Sequence, residues 1–139
     1  AVPNSLARIA LQSGMELTIA CPPGYTLPES CIPAGRYRQV HELREGLKGA
    51  EIVYAKGWGP TDPALAGPPS EELRSWRIDR KGMDATDHGV FMHCLPIRRN
   101  VIATDEVIDD PGALVYHQAE NRLYVQQAVL TELLYTIHM

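Results

Sequence analysis

No apolar run in this 139-residue chain approaches the ~20 residues that a membrane span needs. No basic n-region opens it: Ala1, Val2, Pro3 and Asn4 come first, so no secretory leader is expected. An initiator Met is absent too, as expected of a fragment or a processed chain. There is no glycine-rich phosphate loop, which leaves nucleotide binding without support. The 3 cysteines are odd in number and lack metal spacing, and His41, His88, His117 and His138 are scattered. No metal site and no cofactor is therefore expected, and reduced thiols in a cytoplasmic setting are. No acid pair stands out: Asp62 is alone, and Asp109-Asp110 reads as a turn before Pro111. Internal repeats and low-complexity segments are missing. A net charge of −4 calls for neither nucleic acid nor a membrane surface as partner.

What is present is sized for a single domain, 1–139, with one core. Pro3 to Ser13 reads as a helix. Leu6, Ile9 and Ala10 share a face, Asn4 or Ser5 caps the start, and Gly14 sits past the end. Glu16 to Cys21 reads as a strand closed by Pro22-Pro23-Gly24, and Glu51 to Lys56 as a second, buried strand. Tyr25 to Arg38, with Pro28, Pro33 and Gly35, reads as loop. His41 to Ala50 is a short helix with Leu43 and Leu47 facing the core. The proline- and glycine-rich stretch from Gly57 to Pro69 is a long loop, a kind that is functional or disordered in compact domains. Ser70 caps a helix to about Trp76; a short strand over Arg77 to Asp79 and a helical turn near Met83 follow. Thr104 caps a short helix from Asp105 to Ile108, and Ala113 to His117 reads as the last strand. Ala119 to about Thr136 is the longest helix. Ala119, Leu123, Gln126, Leu130, Leu133 and Ile137 fall on it at spacings of 4, 3, 4, 3 and 4, a stripe suited to a core. Alternating strands and helices predict an α/β doubly wound parallel sheet with helices on both faces.

The chemistry concentrates in Gly89-Val90-Phe91-Met92-His93-Cys94-Leu95-Pro96-Ile97-Arg98-Arg99-Asn100. Val90-Phe91-Met92 is a short apolar run with the length of a buried strand. An imidazole, a thiol and two guanidiniums follow it. In open parallel sheets, ligands bind outside the carboxyl ends of strands. A small anionic substrate is expected there.

Together with Ala119-Glu120-Asn121-Arg122-Leu123, the His93-Cys94-Leu95-Pro96 motif resembles the transcarbamylase family, in its ornithine-type branch. The resemblance covers nearly the whole chain, from Pro3 to the last helix, and corresponds to the family's second, amino-acid-binding domain. It implies that Cys94 and the Leu95 carbonyl lie beside the reacting amine and the carbamoyl group, with no covalent role for the thiol. The bland alternative for Cys94 is a buried structural thiol. His93 is either a proton carrier near neutral pH or a histidine bonded to backbone. The resemblance places Arg122 on carbamoyl phosphate, in the first turn of its helix, where the helix dipole adds to the grip. A surface ion pair is the other reading of Arg122.

Lys56 and Trp58 depart from the ornithine pattern. Ornithine-using members place an Asp at the position matching Lys56, with Trp two residues on and then Ser-Met-Gly. That acid pairs with the α-ammonium of ornithine. Here Lys56 stands in its place, and Gly57-Trp58-Gly59-Pro60 replaces the Ser-Met-Gly turn. A lysine repels an α-ammonium and suits an acceptor whose α-amine is acylated. Arg98-Arg99-Asn100 also matches the acyl branch, with Arg98 expected on the substrate and Arg99 open to a structural ion pair. The chain thus resembles the N-acetylornithine and N-succinylornithine carbamoyltransferases of arginine biosynthesis. Free ornithine is the alternative acceptor, and a non-catalytic binding or assembly module the alternative function.

The resemblance also marks what does not occur in the sequence. The family's Ser-x-Arg-Thr-Arg phosphate loop and His-Pro-x-Gln motif belong to its other domain. A strand normally precedes the segment matching Ala1, and its absence leaves an apolar sheet edge needing cover. A dianion such as carbamoyl phosphate needs several converging donors, which Arg122 alone cannot supply. The expectation is a chain inactive by itself, and a homotrimer for the full-length enzyme.

Overall fold

The computed structural model describes residues 2–28, 32, 37–57 and 71–137. Helix α1 (Val2–Gln12) buries Ala7 and Leu11. It stops where Gly14 adopts a positive φ of 78°, with Gly14 N–H on Leu11 O and Met15 N–H on Ala10 O closing the last turn. Strand β1 (Leu17–Ala20) pairs in parallel with β2 (Tyr37–Val40), from Leu17↔Tyr37 to Ala20↔Val40. After α2 (Leu43–Leu47) comes β3 (Ile52–Tyr54). Then α3 (Glu71–Arg74) and α4 (Arg80–Met83) carry the chain across to β4 (Val90–Met92). Strands β3 and β4 are also parallel, with Ile52↔Val90, Val53↔Phe91 and Tyr54↔Met92 in register. Helices α5 (Asp105–Ile108) and α6 (Val115–Ile137) complete the element order. The arrangement is the α/β class with parallel strands and intervening helices. Among the described residues the β1–β2 and β3–β4 ladders are not joined to one another.

One core lies around Phe91, between β3, β4 and α5, with Leu47, Val53, Ile78, Ala103, Val107 and Val115 packed about it. A smaller cluster of Ala7, Leu11 and Ile32 sits over β1 and β2. Helix α2 bears on the C-terminal ends of β1 and β2 so closely that a Cβ on Gly46 would lie 2.4 Å from the Ala20 Cβ.

Several local readings change. Tyr37–Val40 is a strand, although Pro28, Pro33 and Gly35 nearby suggest only loop; a four-residue run has too short a pattern to show against them. Ala113 to His117 is not a strand. Leu114 N–H bonds Phe91 O in strand fashion, and then the chain turns into α6 at Val115, four residues before the expected start. Arg77 to Asp79 contributes only one bridge, Ile78↔Ala103. Of the predicted helix from Ser70 to about Trp76, α3 is present over Glu71–Arg74, and the Ser70 cap lies outside the described residues. The Gly57–Pro69 loop and Trp58 lie, past Gly57, outside the described residues. The largest difference is the α6 stripe. Leu123, Leu130 and Leu133 are 56%, 59% and 55% exposed; among the described residues the helix buries Val115 fully in its first turn and is exposed beyond it.

Helix propensity alone favours alanine over glycine by about 1 kcal/mol. At Gly46 the close approach to Ala20 reverses the sign. Gly46→Ala is expected to lose about 1–3 kcal/mol in urea denaturation, as overpacked contacts do.

Candidate active site

The site forms because β3 and β4 run in the same direction and end together. Ala55 N–H continues their ladder to Met92 O at 3.1 Å. The next residues on each chain, Lys56 on one and His93, Cys94 and Leu95 on the other, therefore emerge side by side. Lys56 is exposed, Cys94 and Leu95 are half-buried, and His93 is 2% exposed. Leu95 has a positive φ of 50°, a conformation costing a non-glycine residue of order 1–2 kcal/mol, and its bond to Pro96 is cis. The Leu95 side chain packs against the Phe91 core, which helps to hold it there.

His93 holds this turn. Its Nδ1 accepts the Leu95 backbone N–H at 2.9 Å, which leaves Nε2 to carry the proton of the neutral ring. Burial lowers the pKa of His93, and the nearby Lys56 charge lowers it further. Of the two roles open to His93 in the sequence, the geometry supplies the backbone-bonded one. It also brings the Lys56 charge close enough to the ring to act on it.

The turn after Pro96 is built around α5. The Arg98 carbonyl accepts from Val101 N–H at 3.2 Å and Ile102 N–H at 2.9 Å. Asn100, at φ 59°, donates from Nδ2 to Asp105 at 2.7 Å and accepts the Asp105 backbone N–H at 3.1 Å. Arg99 bonds Asp105 at 2.5 Å and also Asp109. Hydrogen bonds from Asn100 and then Arg99 keep the Asp105 carboxyl below its ordinary range. Arg99 is thus a structural ion-pair partner, and Arg98 is exposed beside it.

Arg122 is exposed. Because α6 starts at Val115, Arg122 sits beyond its first turn, and the expected help from the helix N-terminus, which acts within the first turn, does not reach it. Two groups that the sequence reading passed over complete the cluster. Gln118, in the first turn of α6, donates from Nε2 to the Tyr54 hydroxyl at 3.0 Å. Its own Oε1 is buried and has no hydrogen-bond partner among the described residues. The available signal was a hydroxyl at the end of an otherwise apolar strand, two residues before Lys56. Among the described residues no group of three or more His, Cys, Asp or Glu side chains could hold a metal ion.

A thiol, a lysine and a histidine at adjoining ends of parallel strands lie where open α/β sheets generally bind small molecules. The chain belongs to the aspartate/ornithine carbamoyltransferase family: its Asp/Orn binding domain matches residues 1–133. The N-acetylornithine carbamoyltransferase of Xylella fastidiosa (strain 9a5c) is 37% identical, over 96% of this chain and 44% of that protein. The N-succinylornithine carbamoyltransferase of Bacteroides fragilis (strain 638R) is 36% identical, over 96% of this chain and 42% of its own length. Among solved structures, a crystal structure of N-acetyl-L-ornithine transcarbamylase superposes with a TM-score of 0.84 at 37% identity. It covers 94% of this chain and 44% of the other. This chain spans less than half the length of the curated relatives it matches.

Because the folded pKa of His93 lies below that of the free side chain, the unfolded state binds its proton more readily. The stability this provides is complete above about pH 6.5 and is lost as pH falls below it. His93→Asn keeps an acceptor for Leu95 N–H and removes the titration. Its urea midpoint is expected to fall less than that of the unsubstituted protein over the first unit of acidification. His93→Ala, which leaves that N–H without an acceptor, should cost about 1–3 kcal/mol at neutral pH.

Proposed function

We propose that this chain is the acceptor-binding half of an N-acylornithine carbamoyltransferase acting in arginine biosynthesis. The observation that carries the reading is the place of Lys56, beside His93, Cys94 and Leu95 at the shared strand ends. A fixed cation there disfavours a free α-ammonium and leaves an acceptor with an acylated α-amine and a bare α-carboxylate. The similarity to N-acetylornithine and N-succinylornithine carbamoyltransferases supports the same acceptor class.

In this reading the δ-amine of the acceptor attacks the carbamoyl carbon of carbamoyl phosphate. The C–N bond forms, the C–O bond to phosphate breaks, and the amine loses a proton. Phosphate is a good leaving group, so the task of the protein is positioning and charge stabilisation, without metal or organic cofactor. The Leu95 carbonyl and the Cys94 thiol hold the attacking amine. Lys56 and Arg98 take the carboxylate end of the acceptor, with Trp58 alongside. Arg122 contributes one positive charge to carbamoyl phosphate. Neutral His93 holds the Leu95 turn.

The remaining cationic donors for the phosphate come from a second half of the enzyme, on the same polypeptide or on another. Two features support this division. Helix α6 exposes Leu123, Leu130, Leu133 and Leu134 along its length, an apolar face that water does not favour. Among the described residues the two parallel ladders are not joined to one another, which is compatible with a further strand completing a parallel sheet.

The test is carbamoyl transfer by the full polypeptide with acetylornithine, succinylornithine and ornithine, read as ureido product. Activity on an acylornithine and not on ornithine is expected; activity on ornithine alone would sink the acyl assignment. Lys56→Asp should lower acylornithine kcat/KM about tenfold to a hundredfold, the loss of a charged hydrogen bond. It should also open the site to ornithine.

A further inference from the structure

We infer that Tyr54 is a positioning residue for carbamoyl phosphate: its hydroxyl, bonded to Gln118, fixes the direction in which α6 leaves the core and so the place of Arg122. The inference rests on the carbamoyl-transfer reading for its catalytic consequence, though not for its geometry. Tyr54 is the last residue of β3 and is half-buried. Gln118 Nε2 donates to its hydroxyl oxygen at 3.0 Å. Two other attachments at the root of the helix are made on the side of β4. Leu114 N–H bonds Phe91 O at 2.8 Å, and Val115 is fully buried in the core around Phe91. These two neighbours fix where α6 begins. By themselves they leave it a pivot. Gln118 comes three residues after Val115, on the same helix face, and reaches β3 instead. With an attachment to each strand, the helix axis has a direction as well as an origin.

That direction matters beyond the root. From Glu120 to Thr136 every residue of α6 is exposed in this chain. Arg122 lies four residues past Gln118, about 6 Å along the axis and on the same face. A swing at the root is therefore passed on to its guanidinium. Lys56 is insulated from such a swing, because Ala55 N–H bonds Met92 O at 3.1 Å and holds the end of β3 independently of the hydroxyl. Stability does not account for the Tyr54–Gln118 pair. Gln118 Oε1 is buried with no hydrogen-bond partner among the described residues, and a buried carbonyl left unbonded costs stability. An apolar pair filling the same space would avoid that cost. What it would lack is a bond that prefers one geometry.

The experiment uses the full polypeptide with Tyr54→Phe, Gln118→Met and the two combined. Transfer to the acylornithine is measured with each substrate varied in turn, alongside urea denaturation. For Tyr54→Phe the carbamoyl phosphate KM should rise about fivefold, the worth of one neutral hydrogen bond, with the acylornithine KM within about twofold of its original value. Hydrogen exchange read by mass spectrometry should become about fivefold faster in the peptide spanning 115–122, where the lost bond eases local opening, and stay unchanged in α1. The double variant replaces both partners by apolar groups, so its urea midpoint should equal or exceed the original. Its carbamoyl phosphate KM should nevertheless stay as high as in the single variants. A pair that serves stability only gives the opposite pattern, with KM returning to its original value in the double variant. That pattern overturns the inference. So does an unchanged carbamoyl phosphate KM, an equal rise in both KM values, or unchanged exchange over 115–122. If the unsubstituted protein transfers no carbamoyl group to any acceptor, the proposed function falls, and the exchange comparison still decides whether Tyr54 holds the root of α6.

Discussion

The parallel register of β3 with β4 is the constraint on which the site depends. It aligns Tyr54 with Met92 and so makes the two chains leave the ladder at the same level. Every group assigned to the acceptor is within a few residues of that exit. A shift by one residue would send Lys56 to the opposite face of the pleat and separate it from His93. The buried side chains on both strands, Val53 and Phe91, oppose such a shift, because it would expose them. Core packing and the alignment of the strand ends are therefore enforced by the same apolar contacts.

Around this ladder the ionic groups divide into two kinds. Arg99, Asn100, Asp105 and Asp109 satisfy one another and shape the turn. Lys56, Arg98 and Arg122 are exposed. Exposed surface pairs contribute little stability. The value of the first group lies in geometry: it fixes a turn whose neighbouring arginine is presented outward. His93 does comparable work indoors, where its neutral ring accepts a backbone N–H that a charged ring would repel.

Much of this was legible in the sequence. The apolar run Val90-Phe91-Met92, bounded by Gly89 and followed by His-Cys-Leu-Pro, located the strand-end site, and the paired motifs located the family. The Gly14 stop of α1 followed from capping chemistry; the starts did not, since Asn4 and Ser5 lie inside α1 and Thr104, though it precedes α5 as expected, makes no side-chain capping bond. The misreadings share a cause. Tyr37–Val40 and Ala113–His117 are four or five residues long, too short for periodicity to separate strand from loop or helix. The α6 stripe has a helical period, yet period says only that a face is apolar and not that something covers it. Tyr54 and Gln118 were invisible for another reason: their contact joins residues far apart in sequence, and no local pattern encodes it.

The same separations order the assembly of the molecule in time. The Asn100–Asp105 hydrogen bonds close over 5 residues, whereas Tyr54 and Gln118 meet across 64. Closing a chain loop grows more costly in entropy with its length, and local contacts form sooner than distant ones. The arginine-bearing turn can therefore take shape while the chain is still largely open. The contact between Tyr54 and Gln118 waits until β3 and α6 have found one another, so the far side of the strand ends takes its final shape late in folding.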